Sequence, residues 1–311
     1  MDVLAVLLEA PRRLAVKPVT LSPLGPGDVL VETHWSGIST GTEKLLYTGQ
    51  MPDFPGMGYP LVPGYESIGR IIETGLDARS RLGEWVFVPG ASCYENARGL
   101  FGGSARHLIV PAARSFPISE SFAESGVLVA LAATAHHALA SGDLPELIVG
   151  HGVLGRLMAR LVIAMGGEAP TVWETAPARR KGVQGYKAIA PESDERRDYG
   201  IICDVSGSTQ VLDELVMRLV RQGEIILAGF YSSRVNFAFP PAFQKEARLR
   251  IAAEWGPKDL TATLAMIESG ALSLEGLVSD VEPVAKADEA YPKAFSDPDC
   301  LKMVLDWRDA A

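Results

Sequence analysis

The distribution of apolar and polar positions divides the chain into two regions of different character. From residue 1 to about 115, short apolar runs are separated by glycine- and proline-containing turns, at intervals of about ten residues. This spacing predicts a mostly β region that folds as a small barrel. The predicted strands are Val3–Leu8, Val16–Val19, Val29–His34, Tyr65–Glu73 and Glu84–Val88.

Beyond residue 119, short apolar strands alternate with amphipathic helices. The predicted helices are Glu124–Leu139, Val153–Met165, Gln210–Val220 and Leu260–Ser269. The predicted strands lie at Leu147, Thr171–Glu174, Ala188, Tyr199–Val205, Gly223–Gly229 and Leu249–Ala253. This alternation predicts an α/β fold with a doubly wound parallel sheet. We expect one domain from residues 1–118 and 278–311, and a second from residues 119–277.

A glycine turn follows the first strand of the second region. The segment Gly150-His-Gly-Val-Leu-Gly155 stands between a buried strand and a helix with apolar positions every three or four residues. Gly150 permits a tight turn, Gly152 leaves room for a pyrophosphate, and Gly155 lets the helix pack against the strand. The helix N-terminus favours phosphate. The segment therefore predicts a dinucleotide site, whereas the alternative is an ordinary glycine turn.

An acidic residue ends the next strand. Glu174 can accept hydrogen bonds from an adenosine ribose and would repel a 2′-phosphate, which favours NAD over NADP. Arg179 and Arg180 follow closely and could instead hold that phosphate. The candidate cofactor-binding residues are Gly150, Gly152, Val153, Leu154, Gly155, Glu174, Arg179, Ser206, Gly207, Gly229, Phe230 and Tyr231.

Composition narrows the functional class. The chain of 311 residues is 47% hydrophobic and has a net charge of −9 with no basic run. Nucleic acid and anionic membrane surfaces are therefore poor partners. The N-terminus lacks the basic segment that is typical of a signal peptide, and we do not expect an integral membrane protein. Three widely spaced cysteines suit a reducing compartment, and the expected location is the cytoplasm.

Several stretches, in this order, resemble the medium-chain dehydrogenase/reductase family, which includes the zinc alcohol dehydrogenases. They are Ser36-Gly-Ile-Ser-Thr-Gly-Thr-Glu43, Pro60-Leu-Val-Pro-Gly-Tyr-Glu-Ser-Ile-Gly69, Gly83-Glu-Trp-Val86 and Ala133-Thr-Ala-His-His-Ala138. The resemblance covers nearly the whole chain. It implies a GroES-like β-barrel domain, a Rossmann domain, a nicotinamide cofactor and hydride transfer.

The chain departs from this family at its metal sites. Ser39 stands where a zinc-ligating cysteine would be, and Tyr65 stands where the histidine would be. Neutral hydroxyls are poor zinc ligands, and the carboxylate of Glu66 alone does not hold the ion. The segment with the four cysteines of the structural zinc is also missing. We therefore expect neither a catalytic nor a structural zinc.

Without a Lewis acid, a relay of hydroxyl or imidazole groups must accept the alcohol proton. The candidate catalytic residues are Ser39, Thr40, Tyr65, Glu66, His136 and His137. We expect Tyr65 to bind the alcohol with Glu66 behind it, although Tyr65 could simply pack. The two histidines could be a proton shuttle, axial ligands to a metal in the substrate, or ordinary helix residues. Glu43 and Lys44 are interpreted as a solvated charge pair. His151 is expected to face phosphate or solvent.

A narrower likeness concerns a zinc-less branch of the family. Trp35–Glu43, Gly64–Gly69, Thr134–His137 and the glycine turn resemble members that act in bacteriochlorophyll biosynthesis. That likeness implies NAD-dependent oxidation of a hydroxyethyl group on a magnesium bacteriochlorin. Apolar side chains available for a macrocycle are Trp35, Tyr47, Met51, Phe54, Met57, Tyr59, Phe101, Phe230, Tyr231 and Trp255, and residues 49–60 are a candidate lid.

Other functions remain open at this point. They are a zinc-less, NADPH-dependent reductase of quinones or enones, and a non-catalytic relative that binds a nucleotide or a pigment. The architecture also makes a homo-oligomer possible, but the sequence does not fix the number of subunits.

Overall fold

The computed structural model describes residues 1–53, 55–231 and 233–310. In chain order, the strands are β1 (Asp2–Ala10), β2 (Arg13–Thr20), β3 (Asp28–Ile38), β4 (Ser67–Thr74), β5 (Trp85–Val88), β6 (His107–Pro111), β7 (Phe116–Pro117), β8 (Leu147–Val149), β9 (Thr171–Trp173), β10 (Lys187–Ile189), β11 (Tyr199–Asp204), β12 (Leu219–Leu227), β13 (Arg248–Ile251), β14 (Asp280–Pro283) and β15 (Met303–Asp306).

The α-helices are α1 (Thr42–Thr48), α2 (Val129–Leu139), α3 (Val153–Ala164), α4 (Leu212–Arg218), α5 (Phe239–Lys245), α6 (Pro257–Glu268) and α7 (Ala287–Ser296). Short 3₁₀ helices cover Leu76–Arg81, Ala112–Arg114, Glu120–Leu128, Pro177–Arg180, Pro191–Ser193 and Val284–Lys286. The chain forms two compact units, Met1–Ala130 with Leu277–Ala311, and Leu131–Gly276.

The first unit is built on β-sheets. Strands β1 and β2 form a hairpin, and seven others form a sheet in the order β14-β15-β3-β4-β5-β7, with β6 also paired to β3. The long central strand β3 is therefore the scaffold of this unit. Its inward residues Val29 and Val31 are buried in a core with Ile71, Val86 and Leu108.

The second unit carries a six-stranded parallel sheet. Its strand order is β10-β9-β8-β11-β12-β13, and every neighbouring pair is parallel. This is the doubly wound order of a Rossmann domain, with the first strand in chain order, β8, near the middle. The predicted fold class is confirmed for both units.

Two predicted helices differ from the structure at their ends. The prediction for Glu124–Leu139 holds only from Val129, because the preceding turn is a 3₁₀ helix interrupted at Ala123, where φ is 46° and ψ is −137°. The prediction for Gln210–Val220 was too long. Leu219 is extended, is fully buried, and pairs with Tyr199 of β11. Sheet pairing therefore outweighs the helical pattern at this position.

The sequence analysis missed helices α5 and α7. Helix α5 has Pro240 and Pro241 in its first turn, where the missing N–H of proline has no intrahelical acceptor. Helix α7 contains Pro292 within its length.

One stretch of the described residues is long and apolar enough to span a membrane. It is Glu120–Leu139, and 61% of an 18-residue apolar window within it is buried in the chain. The expectation from the sequence was that the chain is not an integral membrane protein.

Candidate active site

Two of the candidate catalytic hydroxyls are brought together by the central sheet. Ser39 directly follows β3, and Tyr65 lies just before β4. These strands are antiparallel neighbours with Ser36 opposite Ser67, so the end of one adjoins the start of the other. The Ser39 Oγ and the Tyr65 hydroxyl oxygen are 2.7 Å apart. Tyr65 therefore lies outside the strand predicted for it.

The surroundings keep the Tyr65 phenol neutral. Burial, together with the nearby carboxyl of Glu66, raises its pKa well above the ordinary value, although hydrogen bonds with Ser39 and Thr42 oppose the shift. Its ring also packs edge-on against Phe101, with ring centroids 5.3 Å apart. At neutral pH, Tyr65 can therefore donate a hydrogen bond but does not act as a phenolate.

Thr40, another of the candidate catalytic residues, is exposed to solvent.

Glu66, which was expected behind Tyr65, has a lysine as its partner in the structure. The Glu66 carboxylate is fully buried and forms an ion pair with Lys302, whose Nζ also donates to the Ile38 carbonyl oxygen at 3.2 Å. Strand β15 brings Lys302 there, since Met303 pairs with Ile38. A Cβ on Gly37 would lie 2.3 Å from Glu66 Oε2, so glycine leaves the space for this pair.

Glu43 is a residue that the sequence analysis misinterpreted. It is fully buried rather than solvated, and its carboxyl accepts the Ser39 backbone N–H at 3.1 Å and the Tyr291 hydroxyl at 2.7 Å. Burial raises the pKa of Glu43 to about 7, against the effect of these hydrogen bonds. The spacing of four residues after Ser39 was a local signal for this contact, whereas nothing near Glu43 indicated Tyr291.

The donor set around Ser39 does not fit zinc. The Ser39 and Tyr65 hydroxyls bond to each other, and Glu66 is paired with a lysine. Structural and catalytic zinc sites use thiolate, imidazole and carboxylate ligands instead. Within residues 1–53, 55–231 and 233–310, no group of three or more His, Cys, Asp or Glu side chains could hold a metal ion.

The glycine turn has the geometry of a dinucleotide site. Gly150 has a φ of 103°, which favours glycine. A Cβ on Gly155 would lie 1.9 Å from the Gly150 carbonyl oxygen, so glycine is required for the close approach. Gly152 caps α3, and a Cβ there would meet nothing within 4 Å. Open space in front of free helical N–H groups is a cradle that suits a pyrophosphate.

Glu174 stabilises the backbone beside this cradle through hydrogen bonds. Its carboxylate accepts the backbone N–H groups of His151 at 3.2 Å and of Ala176 at 2.8 Å. The Arg180 guanidinium donates to the carbonyl oxygens of Glu174 and Thr175. Arg180 is therefore engaged with the backbone after β9.

The expectation that His151 faces phosphate or solvent was wrong. Its imidazole is fully buried, with Nδ1 2.6 Å from the Arg179 carbonyl oxygen and Nε2 2.8 Å from the Tyr186 hydroxyl. The carbonyl can only accept, so Nδ1 carries the proton and the Tyr186 hydroxyl donates to Nε2. Burial lowers the pKa of His151 to about 4. Arg156 donates to the His151 carbonyl oxygen at 3.2 Å and ties the loop to α3.

The turns after β11 and β12 lie side by side. A Cβ on Gly229 would be 3.0 Å from the Gly207 nitrogen, and a Cβ on Gly150 would be 3.2 Å from the Ser206 nitrogen. The buried Asp204 accepts the Ser206 N–H at 2.9 Å and the Tyr231 hydroxyl at 2.8 Å. The Tyr231 hydroxyl therefore already has a hydrogen-bond partner within the protein. The candidate residues Ser206, Gly207, Gly229, Phe230 and Tyr231 all lie in these two turns, and Val153 and Leu154 begin α3.

The two candidate histidines belong to the second unit, at the end of α2. Nδ1 of His136 lies 2.9 Å from Asp259 Oδ1, and Nδ1 of His137 lies 2.9 Å from Asp259 Oδ2. Asp259 stands in the first turn of α6, far along the chain from the histidines. It was not among the candidates from sequence because only the fold brings it to them.

The apolar side chains offered for a macrocycle are divided between core and surface. Trp35 and Met51 are buried in the core of the first unit, whereas Phe230 is 52% exposed. Phe54 lies outside the described residues.

Comparison with known proteins identifies the family. The model of the alcohol dehydrogenase GroES-like domain matches residues 25–120. A 2-desacetyl-2-hydroxyethyl bacteriochlorophyllide A dehydrogenase of Cereibacter sphaeroides is 57% identical, with 99% of each chain covered. The protein of the same name in Rhodobacter capsulatus is 55% identical over 100% of each.

The chain belongs to the medium-chain dehydrogenase family. Among solved structures, this family member is similar to L-idonate 5-dehydrogenase of Escherichia coli, with a TM-score of 0.86, 19% identity, and 98% of each chain covered. It is also similar to an Escherichia coli protein described as a short chain alcohol dehydrogenase complexed with NADH, with a TM-score of 0.84, 20% identity, and 98% and 99% covered. These likenesses confirm the fold.

Proposed function

We propose that this dehydrogenase acts in bacteriochlorophyll biosynthesis and oxidises the hydroxyethyl group of a bacteriochlorophyllide to an acetyl group, with NAD as the cofactor. The observation that carries the proposal is the identity of 57% and 55%, over essentially the full length, to two proteins named for this substrate. The quinone or enone reductase and the non-catalytic binder are not favoured, since both of these relatives are named as dehydrogenases.

The second unit supplies the groups that would hold the cofactor. The pyrophosphate would rest on the cradle at Gly152, and Glu174 would accept hydrogen bonds from the ribose. The Glu174 carboxylate, which lies beside the loop, would repel a 2′-phosphate, and this supports NAD over NADP. A bound NAD would supply the acceptor for the hydride that leaves the carbinol carbon of the substrate.

The first unit supplies the groups that would receive the proton of the alcohol. We assign the substrate hydroxyl to the Ser39–Tyr65 pair, in which each oxygen can both donate and accept a hydrogen bond. Tyr65 stays neutral, so the pair transmits a proton rather than storing one. Glu43, which accepts the Ser39 N–H and has a pKa of about 7, can hold a proton beside this pair near neutral pH.

Neither zinc nor another resident metal has a place in this proposal, because the donor set does not fit one. Hydroxyl groups and a buried carboxyl replace the Lewis acid of related enzymes. The cytoplasm is our proposed location, supported by three cysteines that are all free and buried.

A spectroscopic assay tests the proposal. The purified protein, with its metal content measured, is mixed with NAD and hydroxyethyl bacteriochlorophyllide, and the red absorption band of the pigment is followed together with NADH. We expect a band shift matched by equimolar NADH, unaffected by a chelator, and much slower with NADP. Turnover of quinones or simple alcohols without turnover of the pigment would contradict the substrate. A requirement for added zinc would contradict the mechanism.

A further inference from the structure

One carboxylate in the second unit holds two adjacent imidazoles. Asp259 bonds to Nδ1 of His136 through one oxygen and to Nδ1 of His137 through the other, each at 2.9 Å. The oxygen facing His137 also accepts the Gly256 backbone N–H at 2.9 Å, which caps α6. The backbone at the start of α6 therefore holds the Asp259 carboxylate in position.

These contacts determine the tautomer of His137. The Asp259 oxygen that faces His137 already accepts the Gly256 backbone N–H, so it acts as an acceptor toward His137 as well. Nδ1 of His137 therefore carries a proton, and Nε2 is the ring nitrogen left to accept a bond. No protein group among the described residues bonds to that nitrogen.

Exposure distinguishes His137 from His34, His136 and His151. Its side chain is 41% exposed, whereas that of His136 is 12% exposed and that of His34 is 22% exposed. His151 is fully buried. A ring that is oriented by a carboxylate and offers an open Nε2 is the arrangement that metal-binding histidines have in proteins. The carboxylate fixes the orientation of the ring.

The metal that such a ring could bind need not be resident in the protein. A magnesium bacteriochlorin has its metal in the plane of the macrocycle, where four ring nitrogens occupy the equatorial positions and an axial position is open. We infer that His137 Nε2 is the axial ligand of the substrate magnesium, and that Asp259 positions the ring for this contact. This inference rests on the proposed function.

The matched probe for this inference is the pigment without its metal. Equilibrium binding of hydroxyethyl bacteriochlorophyllide and of its magnesium-free counterpart is measured on the full chain by fluorescence quenching. We expect the wild-type protein to bind the magnesium pigment at least about tenfold more tightly, and its visible bands to shift as an axial nitrogen is added. His137→Ala should bind both pigments equally, without that spectral shift.

Two further variants separate ligation from folding. Asp259→Asn keeps the shape of the side chain but weakens orientation of the ring, and should reduce the preference for magnesium about tenfold or abolish it. His34→Ala, which removes an imidazole of the first unit, should keep the preference. Free imidazole should restore the spectral shift to pigment bound by His137→Ala, which a purely structural role of His137 would not allow.

The outcomes distinguish this inference from the proposed function. Equal binding of both pigments by the wild-type protein, with turnover of both, would overturn the axial ligand and leave the substrate assignment intact. Equal loss of turnover on both pigments in His137→Ala would also overturn it, because the ring would then act on the alcohol rather than on the metal. Failure to bind or oxidise either pigment would overturn the proposed function itself.

Discussion

The hydroxyl oxygens of Ser39 and Tyr65 lie 2.7 Å apart, where a zinc-dependent relative would place a thiolate and an imidazole. The distance is that of a good hydrogen bond between hydroxyl groups. The same sheet geometry that would assemble a metal site in a relative thus assembles a hydroxyl pair in this chain. We propose that this pair transfers a proton and that the enzyme does not use Lewis-acid catalysis.

Replacing Tyr65 with phenylalanine removes this hydroxyl and keeps the ring that packs on Phe101. We expect the turnover number to fall about a hundredfold, in the range usual for a lost proton-transfer group, with little change in NAD affinity. Stopped-flow turnover and titration with NAD measure the two effects. Ser39→Ala should lower turnover in the same direction. Unchanged turnover in Tyr65→Phe would make Tyr65 a packing residue.

The glycine cradle allows a paired test of two positions. Gly152→Leu places a side chain in open space, at a residue with a φ of −73° that any amino acid adopts, so the protein should stay folded and lose NAD binding. Gly155→Ala should instead lower the thermal midpoint, since its Cβ would meet the Gly150 carbonyl oxygen. Calorimetric titration and thermal unfolding separate the two effects. Unchanged NAD affinity in Gly152→Leu would contradict the assignment of the cofactor site to the glycine turn.

The glycine turn could be predicted because its signal is local, whereas Ser39 and Tyr65 became candidates only through the family resemblance of their segments. Residues 150–155 are consecutive, and each glycine meets a requirement of its own turn. The partners of the buried carboxyls could not be predicted in this way. Lys302 is 236 positions from Glu66, and Tyr291 is 248 positions from Glu43. A charged residue next to a polar motif looks solvated in the sequence, and only the fold shows which charges lose their water.

The buried His151 should make stability depend on pH below neutrality. Its pKa is about 4 in the folded protein and 6.5 in an unfolded chain, so the unfolded state binds more protons between these values. The buried neutral His151 contributes fully to the free energy of unfolding above pH 6.5. This contribution, up to about 3 kcal/mol, is lost as the pH falls toward 4. His151→Gln should flatten this part of the profile, measured by urea unfolding at several pH values. Parallel profiles would show that His151 does not titrate on unfolding.

Glu43 should have the opposite dependence. Its pKa rises from 4.5 to about 7 on folding, so the folded state binds more protons between these values. Stability should therefore fall as the pH rises from 4.5 through 7. Glu43→Gln mimics the protonated carboxyl and should be more stable than the wild type at pH 8, but not at pH 4.5. Thermal unfolding at both pH values measures this, and a constant difference would contradict the buried titration.

The Glu66–Lys302 ion pair provides a test of the sheet that carries the site. Lys302→Met leaves the Glu66 carboxylate buried without its cation, which should lower the free energy of unfolding by about 3–5 kcal/mol. The double variant Glu66→Gln, Lys302→Met removes both charges and should recover most of this loss, since a buried ion pair is often no better than neutral groups of similar size. Urea unfolding of the wild type, both single variants and the double variant gives the coupling energy. Additive losses would mean that the two side chains do not form a pair in solution.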